Sequence, residues 1–582
     1  MLIVSAAEMR EIDRITSSRY RVPSLTLMEN AGTAVADYVL QQYPYFLTIG
    51  VVCGKGNNGG DGLVAARRLQ AAGKQVSILL LADPRELKGD PAAMYTRLAK
   101  VQLQAVIARK KSDLKRALAR QVYQSDLLVD ALLGTGFQPP LKDLYAEAIR
   151  LLWKSERPVV AVDIPSGLVA DEVSPKTAIH ASAVATVSFT AAKPALAMSS
   201  EISAGAVVIA QIGSPREAIT SKLKLSVTTA EEAAWTLRPR IPNSNKGSYG
   251  HVLVIGGSRG KAGAAAMAGL AALRAGAGLV TVAVPASALS TVAASAPELM
   301  TEPLEETPLG TISLKAIEQG TLERILLGKT VIALGPGISQ HPETADFIRV
   351  LLSNCRLPLV LDADGLNAFR GIASKLDGRL LPQLVLTPHP GEMARLLGCT
   401  VEEVQSDRLA AARRFAQEHG SILVLKGHKT LTAIPDGRVW VNFTGGPAMA
   451  KGGSGDVLTG IIAAMLAQSH AQEGAGLDIA LGGEQKHARA LAHRRRGEKL
   501  SGSEAQWLAR WMKKLGLVAQ EFESLRRVLP VASGVYLHGL AGDLAAAALD
   551  ESCVLATDII RHLPQAFRTA RESAGDHFVR IA

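Results

Sequence analysis

Cysteine is scarce, with four residues (Cys53, Cys355, Cys399 and Cys553) spread over 582. No CxxC and no Cys/His ligand spacing occurs among them, which excludes a disulfide scaffold and a zinc module and leaves free thiols in a reducing compartment. Aromatic residues are only 4% of the chain, and no basic stripe interleaves with them, so the formal charge of +11 is too diffuse to argue for nucleic acid. A diffuse positive excess instead helps attract small anions such as nucleotides. No apolar run reaches the roughly 20 residues of a membrane span. The first ten residues acquire charge at once and lack a signal-peptide pattern. These absences set the expectation of a cytoplasmic protein with no membrane or nucleic-acid partner, acting on small molecules as a homo-oligomer.

What is abundant is alanine and glycine, within a hydrophobic content of 48%. That composition suits closely packed α/β architecture and argues against disorder. The length exceeds what one core accommodates, so at least two domains are expected. The chain is organised around Gly445-Gly446-Pro447-Ala448-Met449-Ala450-Lys451-Gly452-Gly453-Ser454-Gly455-Asp456. Gly452, Gly453 and Gly455 leave backbone N–H groups with almost nothing in front of them, able to form an anion-binding concavity. Val457 to Leu466 reads as a buried helix, whose positive end adds to the same field. Asp456 beside such a loop is positioned to take a proton from a hydroxyl attacking a phosphate. The plainer alternative is a glycine turn capped by Asp.

The first half holds a strand, Thr48 to Cys53, then Gly54-Lys55-Gly56-Asn57-Asn58-Gly59-Gly60-Asp61-Gly62, then a helix through Leu63, Leu69 and Ala72. Strand, glycine loop and helix make the unit that binds phosphates at a helix N-terminus. The loop fits neither GxGxxG with its acidic partner nor GxxxxGK[ST]. Asp130 ends a second apolar strand before Gly134-Thr135-Gly136, and Asp163 ends a third before Pro165-Ser166-Gly167. Because ligands of parallel sheets bind beyond the carboxyl ends of strands, Asn58, Asp130 and Ser166 can gather there and offer oxygens to a hard cation. The alternative is that both Asp residues simply form turns.

GxxNNGGDG, DALLGTG and VDIPSGL, in this order, resemble the NAD(P)H-hydrate epimerase domain over residues 1–213. The resemblance implies a Rossmann-like three-layer sandwich that interconverts the R and S epimers of hydrated NADH or NADPH. It implies substrate contacts at Asn57, Asn58, Gly59, Gly60 and Asp61, and at Gly134, Thr135, Gly136, Phe137, Gln138, Pro139 and Pro140. It further implies potassium at Asn58, Asp130 and Ser166, with Asp163 binding substrate as the acid–base group and Lys193 nearby.

Between Ser214 and Pro242 the texture turns to scattered Lys, Thr and Pro, which reads as a linker at 214–242. From residue 243 to 582 a second α/β pattern repeats. Apolar strands end at Gly256-Gly257-Ser258, Gly335-Pro336-Gly337, Asp362-Ala363-Asp364-Gly365, Thr387-Pro388-His389-Pro390 and Lys426-Gly427-His428-Lys429-Thr430. Taken alone, His389 is best read as a satisfied surface histidine between two prolines; Lys426 and Lys429 fit solvated charges, but the glycine between them leaves backbone free to approach a phosphate.

GGS, GAGLVTV, GPG, DADGLN, TPHPGE, KGxxT and GGSGD together are similar to the NAD(P)H-hydrate dehydratase, a ribokinase-like α/β fold. Both halves together resemble the bifunctional nicotinamide nucleotide repair enzymes. That resemblance implies dehydration of the S hydrate with ADP and Mg²⁺, releasing AMP and phosphate. It assigns Lys426, Gly427, His428, Lys429, Thr430 and Gly455 to the adenine nucleotide. Ala264, Gly337, His389 and Asp456 would face the hydrated nicotinamide, with Asp456 as the catalytic base. ADP over ATP rests on the resemblance alone.

Two departures stand out. Asn245 occupies the position of a usual histidine in a His-Lys-Gly motif. Residues 470–534 replace a short connection with a net basic insertion, expected to be helical, carrying His487, His493, Arg494 to Arg496, and Trp507, Trp511 and Leu515 at i, i+4, i+8 spacing. The rival readings are an ATP-dependent kinase of a small alcohol or vitamin, and a first half reduced to a non-catalytic nucleotide-binding module.

Overall fold

The computed structural model describes residues 1–173, 179–199, 204–237, 239–240, 242–475, 519–573 and 578–580. The chain divides into two compact units, 1–227 with 576–582, and 228–575.

In the first unit the strands are β1 (Thr48–Cys53), β2 (Gln75–Leu80), β3 (Ala105–Ile107), β4 (Leu127–Ala131), β5 (Val159–Val162), β6 (Ala185–Phe189), β7 (Ala206–Ala210) and the short β8 (Leu225–Val227). The main sheet runs β7-β6-β5-β4-β1-β2-β3, all parallel. Its strands are apolar on both faces because helices cover both. Val51 and Val129 face the helices Ser24–Gln42 and Asn57–Ala71, whereas Val52 and Leu128 face the helix Asp143–Lys154. This is the expected three-layer sandwich. Strand order reverses between β1 and β4, so the loops that leave their carboxyl ends diverge and open a crevice.

The second unit contains β9 (His251–Ile255), β10 (Leu279–Pro285), β11 (Met300–Leu304), β12 (Val331–Leu334), β13 (Leu359–Leu361), β14 (Leu384–Leu386), β15 (Ile422–Leu425), β16 (Leu431–Ala433) and β17 (Val439–Val441). They run β11-β10-β9-β12-β13-β14-β15-β16-β17, parallel up to β15 and antiparallel beyond it. The reversal here lies between β9 and β12. Val252, Val254, Val282 and Val360 bury one face against the helices Ala262–Arg274, Ser454–Ala475, Ala519–Ala548 and Ala556–Glu572. Residues 525–548 are apolar and long enough to cross a membrane, but 72% of their most apolar 18-residue window is buried. Their apolarity builds the core.

Two elements differ from the sequence reading. The segment expected as a linker, 214–242, holds β8 and a helix, Ala230–Thr236, because Thr229 and Glu232 close a reciprocal N-terminal cap. Phe578–Arg580, assigned from sequence to the second domain, forms a strand (β18) antiparallel to β7 in the first unit. Most of the 470–534 insertion, including His487, His493, Arg494 to Arg496, Trp507, Trp511 and Leu515, lies outside the described residues.

Close helix packing in the second unit depends on Gly460, where an added Cβ would sit 2.0 Å from the Ala268 carbonyl oxygen. Helix propensity alone predicts that Gly460→Ala stabilises by about 1 kcal/mol. Overpacking typically costs about 1–3 kcal/mol and outweighs that gain. Gly460→Ala is therefore expected to lower the denaturant midpoint of the second unit, measured by hydrogen exchange along Ser454–Ala475.

Candidate active sites at the two switch points

In the first unit, the loops after β1, β4 and β5 border a cavity of about 680 Å³. Asn57, Asn58, Asp61, Gly134, Thr135, Gly136, Phe137, Gln138, Pro140 and Asp163 line it, together with Lys193. Gly59, Gly60 and Pro139 do not. Gly59 and Gly60 belong to the first turn of the helix Asn57–Ala71, where added Cβ atoms would meet the Gly54 carbonyl at 1.9 Å and the Met28 sulfur at 2.6 Å. Gly59 lets that helix start close to the end of β1, and Gly60 lets it pack against the helix Ser24–Gln42.

Asp163 follows β5 with φ +65°, a left-handed conformation that a non-glycine residue adopts only when its surroundings enforce it. Lys193 Nζ, 1% exposed, lies 2.8 Å from Asp163 Oδ1 and also donates to Ser188 Oγ and the Phe189 carbonyl. Ser188 Oγ and the Thr135 amide donate to the same carboxylate. Burial pushes the Asp163 carboxyl up, but the Lys193 ammonium and these donors outweigh it and hold the group below its ordinary value. Asp61 moves the other way, raised well above the usual range by burial and by the nearby Asp163 and Asp13.

Asp130 is fully buried at the end of β4 and accepts from the Ser166 amide at 2.8 Å and Ser166 Oγ at 2.6 Å. Asn58 lies against Gly134, where an added Cβ would be 3.0 Å from its Oδ1. Both amide atoms of the Asn58 side chain are buried without a partner. The orphaned amide oxygen of Asn58, the Asp130 carboxylate and the Ser166 hydroxyl are oxygen donors of the kind that suits a hard cation.

The second unit builds its site around Asp362, directly after β13 and 1% exposed. Lys426 Nζ donates to Oδ1 at 2.7 Å and Thr459 Oγ1 to Oδ2 at 2.7 Å. Glu392 lies 3.7 Å from the same ammonium. Burial raises the Asp362 carboxyl, but Lys426, Thr459 and Thr387 outweigh it and hold it low. Glu392 is pushed up, by burial first, with Lys426 opposing. Burial also works against the Lys426 ammonium, which Asp362 and Glu392 nevertheless keep above its usual value.

The helix expected from Val457 starts at Ser454, so Asp456 stands in its first turn, not at the cap. Burial and the neighbouring Asp362 push the Asp456 carboxyl up to about 7, against Lys426 and with Glu392. Gly455 keeps this turn open, since its Cβ position is 3.4 Å from Lys426 Nζ. Gly453, at φ +93°, leads into the turn. His538, buried on the helix Ala519–Ala548, lies 3.4 Å from Ser454 Oγ and is held neutral, burial pushing its pKa down to about 4.

His389 is the satisfied surface histidine expected between its two prolines. Its Nδ1 accepts from the Gly391 and Glu392 amides at 3.0 and 3.3 Å, capping the helix Pro390–Leu397, and its ring is half-exposed. Ala264 and Gly337 meet at the β9/β12 reversal, where a Cβ on Gly337 would lie 3.0 Å from that of Ala264. In the loop after β15, Arg408 donates to the Leu425, Lys426 and His428 carbonyls, Thr430 Oγ1 to that of Gly427 at 2.9 Å, and Gly427 adopts φ +137°. Lys429 sits over the Phe443 ring, and burial pushes its pKa down to about 8. Asn245 accepts from the Gly247 amide at 2.9 Å and caps the short helix Lys246–Tyr249, so the replaced histidine leaves an intact turn.

Asp362, Glu392, Thr459, Ser188 and His538 were not singled out from sequence. Only Asp362 had a readable signal, a carboxylate directly after a three-residue apolar strand in DADG.

Each sheet gathers charged groups beyond the carboxyl ends of its strands, the first around Asp163 and Lys193 and the second around Asp362 and Lys426, and together they mark an enzyme with two candidate sites. A family model for NAD(P)H-hydrate dehydratase matches residues 252–509, and one for the YjeF-related protein N-terminus matches residues 24–195. The bifunctional NAD(P)H-hydrate repair enzyme of Moorella thermoacetica is 39% identical over 579 residues, covering 98% of each chain. That of Escherichia coli is 36% identical over 444 residues, covering 76% of this chain and 80% of its own. Among solved structures, the ADP/ATP-dependent NAD(P)H-hydrate dehydratase from Bacillus subtilis, co-crystallized with ATP/Mg²⁺, is 26% identical with a TM-score of 0.41, covering 59% of this chain and 98% of that one. The chain belongs to the family of bifunctional NAD(P)H-hydrate repair enzymes.

The Lys193–Asp163 pair gives a stability test. Lys193→Met leaves a buried carboxylate without its cation, a change that typically costs about 3–5 kcal/mol. Asp163 is depressed in the fold, so its contribution is present above the unfolded carboxylate value and lost as pH falls through the folded one. The deficit of Lys193→Met, read by hydrogen exchange of β5 and β6, is expected at neutral pH and to shrink toward acid.

Proposed function

We propose that the chain repairs hydrated NADH and NADPH in two steps. The first unit interconverts the R and S epimers, and the second dehydrates the S epimer with ADP, releasing AMP and phosphate. Membership of the family, at 39% identity over nearly the whole chain, supports this reading. The observation that carries it is Asp456 in the first turn of a glycine-led helix, beside the Asp362–Lys426 pair.

In the first unit Asp163 is the ionised acid–base group, oriented by Ser188, Thr135 and Lys193 toward the cavity. Potassium fits the oxygens of Asn58, Asp130 and Ser166, and when bound would supply a fixed positive charge that satisfies the orphaned Asn58 amide.

In the second unit the C6 hydroxyl of the hydrate gives its proton to Asp456 while its oxygen attacks the β-phosphorus of ADP and AMP leaves. The amides of Gly453 to Gly455 stabilise the transferring charge. The ring nitrogen then expels phosphate, and loss of a C5 proton restores the C5–C6 double bond. Lys426 to Thr430 and Gly455 hold the adenine nucleotide; Ala264, Gly337 and His389 border the nicotinamide. Asp362 and Glu392 are already engaged with Lys426, so magnesium would enter on the phosphates of ADP, where it screens their charge.

The test follows absorbance at 340 nm from mixed R and S hydrates with Mg²⁺, K⁺ and either ADP or ATP. Full recovery with ADP supports both activities, a partial plateau removes the epimerase, and no recovery with either nucleotide favours a kinase. Asp456→Asn should lower dehydration by roughly 100-fold or more. A base with a pKa of about 7 makes the parent rate rise as pH increases through that value. Asp362→Asn removes a negative neighbour, so this rise is expected at lower pH.

A further inference from the structure

The cavity of the first unit holds a carboxylate that neither sequence motif nor resemblance singles out. Asp13 lies on the helix Ala6–Ser18, whose entry is tied down by the Val4 amide on the Ala192 carbonyl at 2.9 Å, next to Lys193. Asp13 lines the cavity with Asp61, Asp163 and Lys193. Its Oδ1 is buried without a hydrogen-bond partner. Asn58, more than nine-tenths buried and also on the cavity wall, carries two unpartnered amide atoms, so the cavity presents polar groups awaiting a ligand.

Three carboxylates share one ammonium here, so they cannot all be ionised in a buried space. Lys193 is spent on Asp163. Burial pushes Asp13 up to about 6, with Lys193 opposing and Asp163 adding to the rise, and burial with Asp163 and Asp13 raises Asp61 well above its ordinary value. Asp13 is thus the carboxyl able both to give and to regain a proton near neutrality.

We propose that Asp13 is a second catalytic residue of the first unit, the general acid that protonates the ring nitrogen while Asp163 acts as the base on the hydroxyl. This rests on the epimerase reading given above. The hydroxylated carbon C6 is bonded to N1, making a hemiaminal that can open. The hydroxyl proton passes to Asp163, the oxygen pair forms a C6 carbonyl, and the N1–C6 bonding pair goes to N1, which takes the proton of Asp13. Rotation about the C5–C6 single bond presents the opposite face of the aldehyde. N1 then attacks it, the N1 proton returns to Asp13, and the carbonyl oxygen regains its proton from Asp163. Nothing is oxidised or reduced, and both residues end in the state in which they began.

The experiment uses the full chain with R-hydrate, separating the epimers directly. Asp13→Asn should lower epimerisation kcat by about 100-fold or more with KM little changed. Asp13→Glu should regain part of it, and dehydration of S-hydrate should be unaffected. A kcat within about tenfold of the parent, a loss confined to KM, or an Asp13→Glu variant no better than Asp13→Asn overturns the proposal. The parent enzyme gives a check that needs no variant: in H₂¹⁸O, ring opening keeps the original oxygen, whereas one ¹⁸O gained per turnover means hydroxide departure and overturns it. Full epimerase turnover by Asp163→Asn as well would mean that the epimerase reading itself, and not only the role of Asp13, is wrong.

Discussion

Lys193 in the first unit and Lys426 in the second are each buried among a surplus of carboxylates. Taking an ammonium out of water is expensive unless an ionised partner meets it, so each lysine keeps one carboxylate charged. Asp163 and Asp362 are those partners, and both are held below their ordinary values despite burial. The remaining carboxyls have no ammonium to themselves, Glu392 standing farther from Lys426 than Asp362 does, at 3.7 against 2.7 Å. Asp13 and Asp61 in one unit, and Asp456 and Glu392 in the other, all move upward. One cation thus divides each cluster into a member held below its ordinary value and members raised above it, Asp13 to about 6 and Asp456 to about 7. Environments that push neighbouring carboxyls apart in this way separate acid from base roles.

The sheets make this crowding possible. Charged side chains cannot sit within strands covered on both faces, so they collect where the strands stop. In the first unit strand order reverses at β1/β4, where the loops part and leave room; in the second the charges follow the neighbouring strands β13, β14 and β15. Glycine at the close approaches keeps backbone against backbone: Gly54 against Leu132 in one unit, Gly256 against Pro336 in the other. The two sites share no motif, yet both follow from parallel strands that end in acid.

The strands and glycine loops were legible because they depend on local composition: short Val- and Leu-rich runs ending in Gly, Asp or Pro. The cap at Thr229 was equally readable as T-x-x-E, and was masked by the Lys- and Pro-rich texture around it. Partnerships were not legible. Asp13 on an amphipathic helix looks like a solvated acid until the helix is seen against Lys193. His389 between prolines is exposed as its sequence suggests, but that its ring nitrogen caps the helix carrying Glu392 is seen only in the fold. Asp362 and Thr459 are 97 residues apart and meet only when β13 and the helix Ser454–Ala475 pack together. The β18 segment is three residues long, and its pairing is set by the open edge of β7 and not by its own sequence.

On the proposed reading, both sites act on the same carbon, which bears oxygen and nitrogen, and must favour different bonds. Epimerisation has to return the C–O bond intact, which needs an acid for nitrogen and a base for oxygen, both reset within the cycle. Dehydration has to break that bond for good, which needs a leaving group better than hydroxide. The first unit accordingly gathers Asp13, Asp61 and Asp163 around one cavity, where protons can be exchanged among fixed positions. The second opens a glycine-lined helix end beside Asp456, where a phosphoryl group can be received. The chemistry diverges because the first cluster surrounds a closed set of proton positions, whereas the second adds a glycine-led helix end whose free amides can meet a phosphoryl group.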